Sequence, residues 1–185
     1  MEFEHPFYFL RHGETQWNKD RRTQGQLDSQ LNAKGIGQAG QAAKILRSEP
    51  IERIVSSPLS RAAQTAQAVA SHHHLEVVFD DELMECNLGD HQGEPHRPWL
   101  TEYWKGNYLP PNGETYQAFC HRVWQAMHRC AMLGPNTLIV AHGGLWLAAQ
   151  EFISMQPLIK PMPNALPVKV NPQGQNWNCT VLYDY

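Results

Sequence analysis

The chain predicts an α/β fold: a three-layer sandwich with a mostly parallel central sheet, helices on both faces and a small cap insertion. Three observations carry this expectation. Short apolar runs of strand length alternate with segments whose apolar residues recur at helical spacing. The first and fourth runs each end in a polar, histidine-bearing loop, Arg11-His12-Gly13 and His142-Gly143-Gly144. At 185 residues the chain suffices for one compact core and falls short of two domains of typical size. A single domain over residues 1–185 is therefore expected, with a cap-like insertion at about 86–112.

Taken in order, residues 7–10 are an apolar and aromatic run that reads as a buried strand. Asn32 stands where an N-cap would, and Ile36, Ala39, Ala43 and Leu46 follow at helical spacing, giving a crossover helix. Residues 51–55 read as a second strand. Ser56-Ser57-Pro58 then supplies a capping serine and a first-turn proline for a helix running to about His72. Residues 77–79 make a third strand. Residues 80–111 read as irregular, with Gly89, Gly93, four prolines and several aromatics, which suggests a cap or lid. Residues 114–132 form the strongest helical pattern, with Tyr116, Phe119, Val123, Met127 and Cys130 on one face and Gly134-Pro135 as the stop. A buried strand at 138–141, a helix at 145–153, a proline-rich loop at 157–172 and a last strand near 179–183 complete the reading.

Composition narrows the function classes. A formal charge of -3 provides no basic field for nucleic acid or an anionic membrane, so any anion site must be local. Cys86, Cys120, Cys130 and Cys179 lack a CxxC pair and are expected as reduced thiols. The opening residues are acidic where a secretory leader would be basic, and no apolar run approaches the ~18 residues of a membrane span. A soluble cytoplasmic protein is the expectation. The His72-His73-His74 tract could suggest a metal, but consecutive residues at a helix end point in different directions. It is expected to be a solvated terminus, and no metal or cofactor is expected.

In an open parallel sheet, loops at the carboxyl ends of the strands converge on one crevice. His12 and His142, 130 positions apart, fall at two such ends, and Arg61 belongs to a third junction. Arginine forks match phosphate oxygens and an imidazole can act as nucleophile, so this set suits a phosphoryl group without a metal. Gly13 and Gly143 would let backbone N–H groups approach closely. A departing oxygen needs a proton, for which Glu85 and Glu82 are candidates, with Asp80 and Asp81 as alternatives. Trp99, Tyr103, Trp104 and Tyr108 suit either an aromatic wall over a substrate or a small core fixing the cap.

These residues resemble the histidine phosphatase superfamily, whose members include cofactor-dependent phosphoglycerate mutases and many small phosphatases. FLRHGETQWN, RTQGQLDSQLNAKG, SSPLSRAAQTA, PNGETYQAFCHRV and TLIVAHGG follow in the family's order over most of the chain. The resemblance implies that His12 is phosphorylated and that Arg11, Arg61 and His142 clamp the phosphoryl oxygens. Asn18 and Gln24 would add hydrogen bonds, although both types also cap turns, and Gly143 a backbone N–H. The family's acid falls on Glu85 rather than Glu82. Mutases of the family look longer and more basic in the insert, where this chain offers His91, His96, Arg97 and Lys105. The short RTQGQLDSQL segment looks closer to the phosphatase branch, including the alpha-ribazole phosphatase type, though the usual proline near Gln30 is missing.

The expected activity is hydrolysis of phosphomonoesters through a phosphohistidine on His12 with Glu85 as general acid and base. Phosphoglycerate mutase-type transfer and a catalytically silent phosphate-binding module are the alternatives. The expected partner is a small phosphorylated metabolite or a phosphoprotein, with no nucleic acid and no membrane.

Overall fold

Four strands stand where the alternating pattern places them: β1 (Phe7–Arg11), β2 (Arg53–Ser56), β3 (Val77–Phe79) and β4 (Thr137–Ala141). The computed structural model describes residues 2–183. Three further strands, β5 (Ser154–Gln156), β6 (Pro167–Gln173) and β7 (Asn176–Val181), extend the sheet to the order β3-β2-β4-β1-β6-β7-β5. β1 pairs parallel with β4 and antiparallel with β6, and β2 pairs parallel with both β3 and β4. The antiparallel hairpin β6–β7 and the parallel β5–β7 pair complete a mostly parallel sheet.

Alternation along β1 splits the core in two. Phe7 and Phe9 join α5 (Tyr116–Ala131) and α6 (Gly143–Ala149) on one face, while Tyr8 and Leu10 join α2 (Ala33–Leu46) and α3 (Ser60–His73) on the other. This is the expected three-layer sandwich. The face of α5 read from the sequence is buried at Tyr116, Phe119, Val123, Met127 and Cys130, and Thr115 caps it by accepting from the Ala118 N–H. α2 is capped by Asn32 as expected, but Ile36 is 62% exposed. Its core face runs instead through Gly35, Ala39, Ala42, Ala43 and Leu46, and the alanines let α2 lie close against α3.

Other departures have local causes. α3 begins at Ser60, beyond Pro58, and its preceding residue Leu59 offers no capping side chain. Asp28 substitutes from a distant loop, accepting from the Ser60 N–H at 2.7 Å and its hydroxyl at 2.5 Å, which places an anion at the positive helix end. α6 starts at Gly143, directly after the histidine, and ends at Ala149. The expected loop at 157–172 contains most of β6: Pro167 opens the strand and Pro172 lies near its end, while Val168 and Val170 point into the core between them. Within the irregular stretch, α4 (Pro98–Trp104) starts on a first-turn proline and is preceded by 3-10 turns at Asp81–Leu83 and Gly89–His91.

The insert is tied to the segment after α1 (Gln16–Lys19) by backbone bonds from Thr23 N–H to the Glu94 carbonyl, Gly93 N–H to Thr23 and His96 N–H to Arg21. All four insert aromatics belong to the main core or pack against it. Tyr103 is buried in the core, whereas Trp99 and Tyr108 stack on His91 with centroids 4.3 and 5.9 Å away. Trp104 reaches the cavity described below. The four cysteines are free and buried, His72 and His74 are exposed at the end of α3, and no helix among the described residues is long and apolar enough to cross a membrane.

Candidate active site

The strand order builds the site. β4 lies between β1 and β2, so the residue after β4 stands between those after its neighbours. His12 N–H donates to the Ala141 carbonyl and Ser57 N–H to the Val140 carbonyl, each at 3.0 Å, so the ladder continues into both loops. The rings of His12 and His142 lie 5.2 Å apart between centroids, and on its other side His142 Nε2 is 2.8 Å from the Ser57 hydroxyl. Ser57, expected to cap α3, thus serves the second histidine.

His12 Nδ1 lies 2.7 Å from the Gly13 carbonyl. A carbonyl only accepts, so Nδ1 carries the ring proton and Nε2 keeps its lone pair. Burial, then Arg61, then Arg11 push the His12 pKa well below the usual 6.5, which keeps the ring neutral. Burial, Arg61 and His12 do the same to His142, whose Nδ1 has no hydrogen-bond partner among the described residues.

Both arginines reach this point while held by backbone carbonyls. Arg11 donates to Met162 O at 2.5 Å; Arg61 donates to Leu27 O and Gly25 O at 3.0 and 2.7 Å. Their Nε–H groups are buried and find no partner among the described residues. Burial pulls the Arg61 pKa down to about 10, against the pull of Glu85 and Asp28, so the guanidinium stays charged at neutral pH.

Glu85 is brought to the same place. Its two carboxyl oxygens accept from Cys86 N–H and Gly144 N–H, both at 3.1 Å, and a side chain at position 144 would collide with the carboxylate. Glu82 is exposed, and Asp80 and Asp81 line a separate groove with Arg129 and Leu133. Arg11, His12, Arg61, Glu85, Asn18 and Gln24 line one cavity of about 330 Å³, together with Gly143. His142 stands behind this lining, fully buried. The oxygen of Asn18 accepts from Thr15 N–H and that of Gln24 from the Thr15 and Ser29 hydroxyls. Both amides therefore do cap and brace the loop, and their NH2 groups have no hydrogen-bond partner among the described residues. Gly13 has a packing role: a Cβ there would meet the Gly35 carbonyl of α2.

The Histidine phosphatase superfamily (branch 1) pattern matches residues 7–184. The chain belongs to the histidine phosphatase superfamily. It is 39% identical over 147 residues to the "Probable phosphoglycerate mutase GpmB" of Escherichia coli O1:K1, which covers 74% of this chain and 68% of that relative. Among solved structures, a mycobacterial glucosyl-3-phosphoglycerate phosphatase in complex with VO3 superposes with a TM-score of 0.80 at 28% identity, covering 96% of this chain and 98% of that one. The alpha-ribazole phosphatase of Shigella flexneri also gives 0.80, at 26% identity and 97% and 96% coverage.

This histidine phosphatase superfamily chain holds its site with several residues to which pattern reading gave no such role. Ser57 braces His142, and Gly144 makes room for Glu85. Asn164 donates to the His12 carbonyl at 3.0 Å, from a loop that also brings Met162 to Arg11. Arg122 of α5 donates to the carbonyls of Glu82, Met84 and Glu85, pinning the segment that carries the carboxylate. Their signal was weak, since a serine before a helix suggests a cap and an arginine on a helix suggests a solvated face.

Proposed function

We propose that the chain hydrolyses phosphomonoesters through a phosphohistidine on His12, with Glu85 as general acid and base. One observation carries the reading. His12 offers Nε2 as a neutral lone pair, and around it Arg11 Nε, Arg61 Nε and His142 Nδ1 are buried without partners among the described residues. Unpaired buried polar groups are costly, and a phosphoryl group with three equatorial oxygens would satisfy them. The Ser57 hydroxyl, 2.8 Å from His142 Nε2, has one hydrogen to donate. In this mechanism it donates that hydrogen to Nε2, so that the His142 proton sits on Nδ1, the nitrogen offered to an oxyanion.

Nε2 attacks phosphorus as the ester P–O bond breaks, and the Glu85 carboxyl proton passes to the departing alcohol oxygen. Water then attacks the phosphohistidine, Glu85 takes its proton, and inorganic phosphate leaves with His12 restored. Arg11, Arg61 and His142 balance the phosphoryl charge in both steps, Asn18, Gln24 and the Gly143 N–H add hydrogen bonds, and the 86–112 insert caps the single domain over the substrate. His12→Ala should abolish hydrolysis of p-nitrophenyl phosphate, and Glu85→Gln should slow it and let an acid-labile phosphoenzyme accumulate. Full turnover by His12→Ala overturns the reading. The 39% identity to a relative named as a mutase keeps phosphoryl transfer as the second reading. Incubation with labelled 3-phosphoglycerate separates the two, because a mutase moves the label between carbons and a phosphatase delivers it to water.

A further inference from the structure

Arg61 is aimed by two backbone carbonyls, and one of them belongs to a peptide whose other end is held by the insert. Nη2 of Arg61 donates to the Gly25 carbonyl at 2.7 Å and Nη1 to the Leu27 carbonyl at 3.0 Å. These two bonds set the plane of the guanidinium, and with it the direction of the buried Nε–H, which has no partner among the described residues.

The Gly25 carbonyl and the Gln26 N–H are the two ends of one planar trans peptide, so they point in opposite directions and turn together. Gln26 N–H donates to Gln92 Oε1 at 2.6 Å. A carboxamide of the insert therefore fixes the plane of the peptide that holds Arg61. A run of hydrogen bonds leads from Gln92 through that peptide to the guanidinium, each polarising the next. Gly25 is left-handed at φ 55°, and a Cβ there would strike the Gln92 side chain, so the two segments are closely fitted.

Gln92 does not line the cavity, whereas Gly25 and Arg61 do. The turn that carries it is fastened on both sides. Gly93 N–H donates to the Thr23 carbonyl at 2.8 Å, and the Thr23 hydroxyl lies 2.6 Å from the His91 carbonyl and 2.9 Å from that of Glu94. The His91 ring is held by the Glu94 carboxylate at 3.1 Å and the Tyr108 hydroxyl at 2.8 Å, and it stacks on Trp99. With its backbone already fixed, Gln92 has only side-chain freedom to lose in holding Gln26.

We propose that Gln92 is a positioning residue for the phosphoryl site: it sets the aim of Arg61 through the Gly25–Gln26 peptide, so that the insert takes part in holding the phosphoryl group. This rests on the reading of Arg61 as a clamp on that group, and adds to it a residue that never touches the substrate.

The test compares three variants. Gln92→Met keeps the length of the side chain and loses the carbonyl oxygen, Gln92→Asn withdraws that oxygen by one methylene, and Gln92→Glu keeps an acceptor in place. For p-nitrophenyl phosphate, kcat/KM should fall by about tenfold in the first two, within the roughly hundredfold that a small misplacement can cost, and stay close to wild type in Gln92→Glu. Inhibition by inorganic phosphate should weaken in the same order. The Nε–H resonance of Arg61, assigned by its loss in Arg61→Lys, should shift in Gln92→Met and Gln92→Asn, which a merely structural loss elsewhere in the insert would not cause. Should one of these two fail to fold by circular dichroism, the other carries the comparison. An unchanged kcat/KM or an unmoved Arg61 resonance in the folded variants overturns the inference, and so does an equal loss in Gln92→Glu. A wild type that hydrolyses no ester and forms no adduct on His12 overturns the phosphatase reading instead, and the resonance, read without turnover, still decides whether Gln92 places Arg61.

Discussion

The nucleophilic role proposed for His12 needs an imidazole that is neutral, oriented and surrounded by charge that favours the product of its attack, and at His12 different neighbours meet each need. Burial and the two arginines keep the ring unprotonated, although the Gly13 carbonyl pulls the other way by accepting from Nδ1–H. That same carbonyl fixes which nitrogen is free. Ser57 plays the matching part for His142, and its removal tests the arrangement. Ser57→Ala leaves His142 without a ring partner, so the ring can turn and its Nδ1 proton is no longer directed. The expected result is a kcat lower by up to about a hundredfold with KM changed little, and a stability loss of about 1–3 kcal/mol from the buried unpaired nitrogen. Steady-state kinetics together with urea unfolding check both, and an unchanged kcat would remove Ser57 from the site. Arg11, Arg61 and both histidines were legible from sequence because strand-end loops concentrate chemistry. Ser57 was not, because hydroxyl roles depend on which group folds against them.

At the scale of elements, the site depends on α5 as much as on the sheet. Arg122 on that helix accounts for three carbonyls of the segment from Glu82 to Glu85, and its guanidinium is paired with Glu114, whose carboxylate also accepts from Asn87 N–H. The proposed general acid, Glu85, is thus anchored to a helix that is itself fastened to the core by Phe119, Val123 and Met127. The helix start should be measurable on its own. Thr115→Ala removes the side-chain cap on the Ala118 N–H and should cost about 1 kcal/mol, read as a lower urea midpoint at constant m. No shift in midpoint would mean that packing alone defines the start of α5. Helix α5 was legible because its face is long and strictly periodic, while β6 was hidden by prolines that sit near its ends, and α4 is too short to show a period.

For the whole molecule, burying two neutral histidines beside two arginines ties stability to pH. His12 and His142 have folded-state pKa values well below 6.5, whereas in the unfolded chain they titrate near 6.5. Below pH 6.5 the unfolded state binds protons that the folded state refuses, so stability is fully present above that pH and is lost as the pH falls. Each histidine contributes a slope of about 1.4 kcal/mol per pH unit once the unfolded form is protonated, so unfolding free energy should drop by about 2–3 kcal/mol between pH 7.5 and 5.5. Urea titrations at the two pH values check this. His142→Asn should flatten the dependence by about half, and a wild-type curve flat over that interval would show that the buried rings do take up protons.

By itself the sequence determined the layered α/β class, the four parallel strands and the chemistry-bearing loops, because hydrophobic period and loop chemistry are local properties. Only the tertiary structure decided the arrangement around them. Placing β4 between β1 and β2 brings His142 next to His12. The packing of α5 positions Glu85 rather than Glu82, and the insert and α6 both contribute to the cavity lining. Those outcomes rest on contacts between residues far apart in the chain, whose free energy depends on the whole packed arrangement.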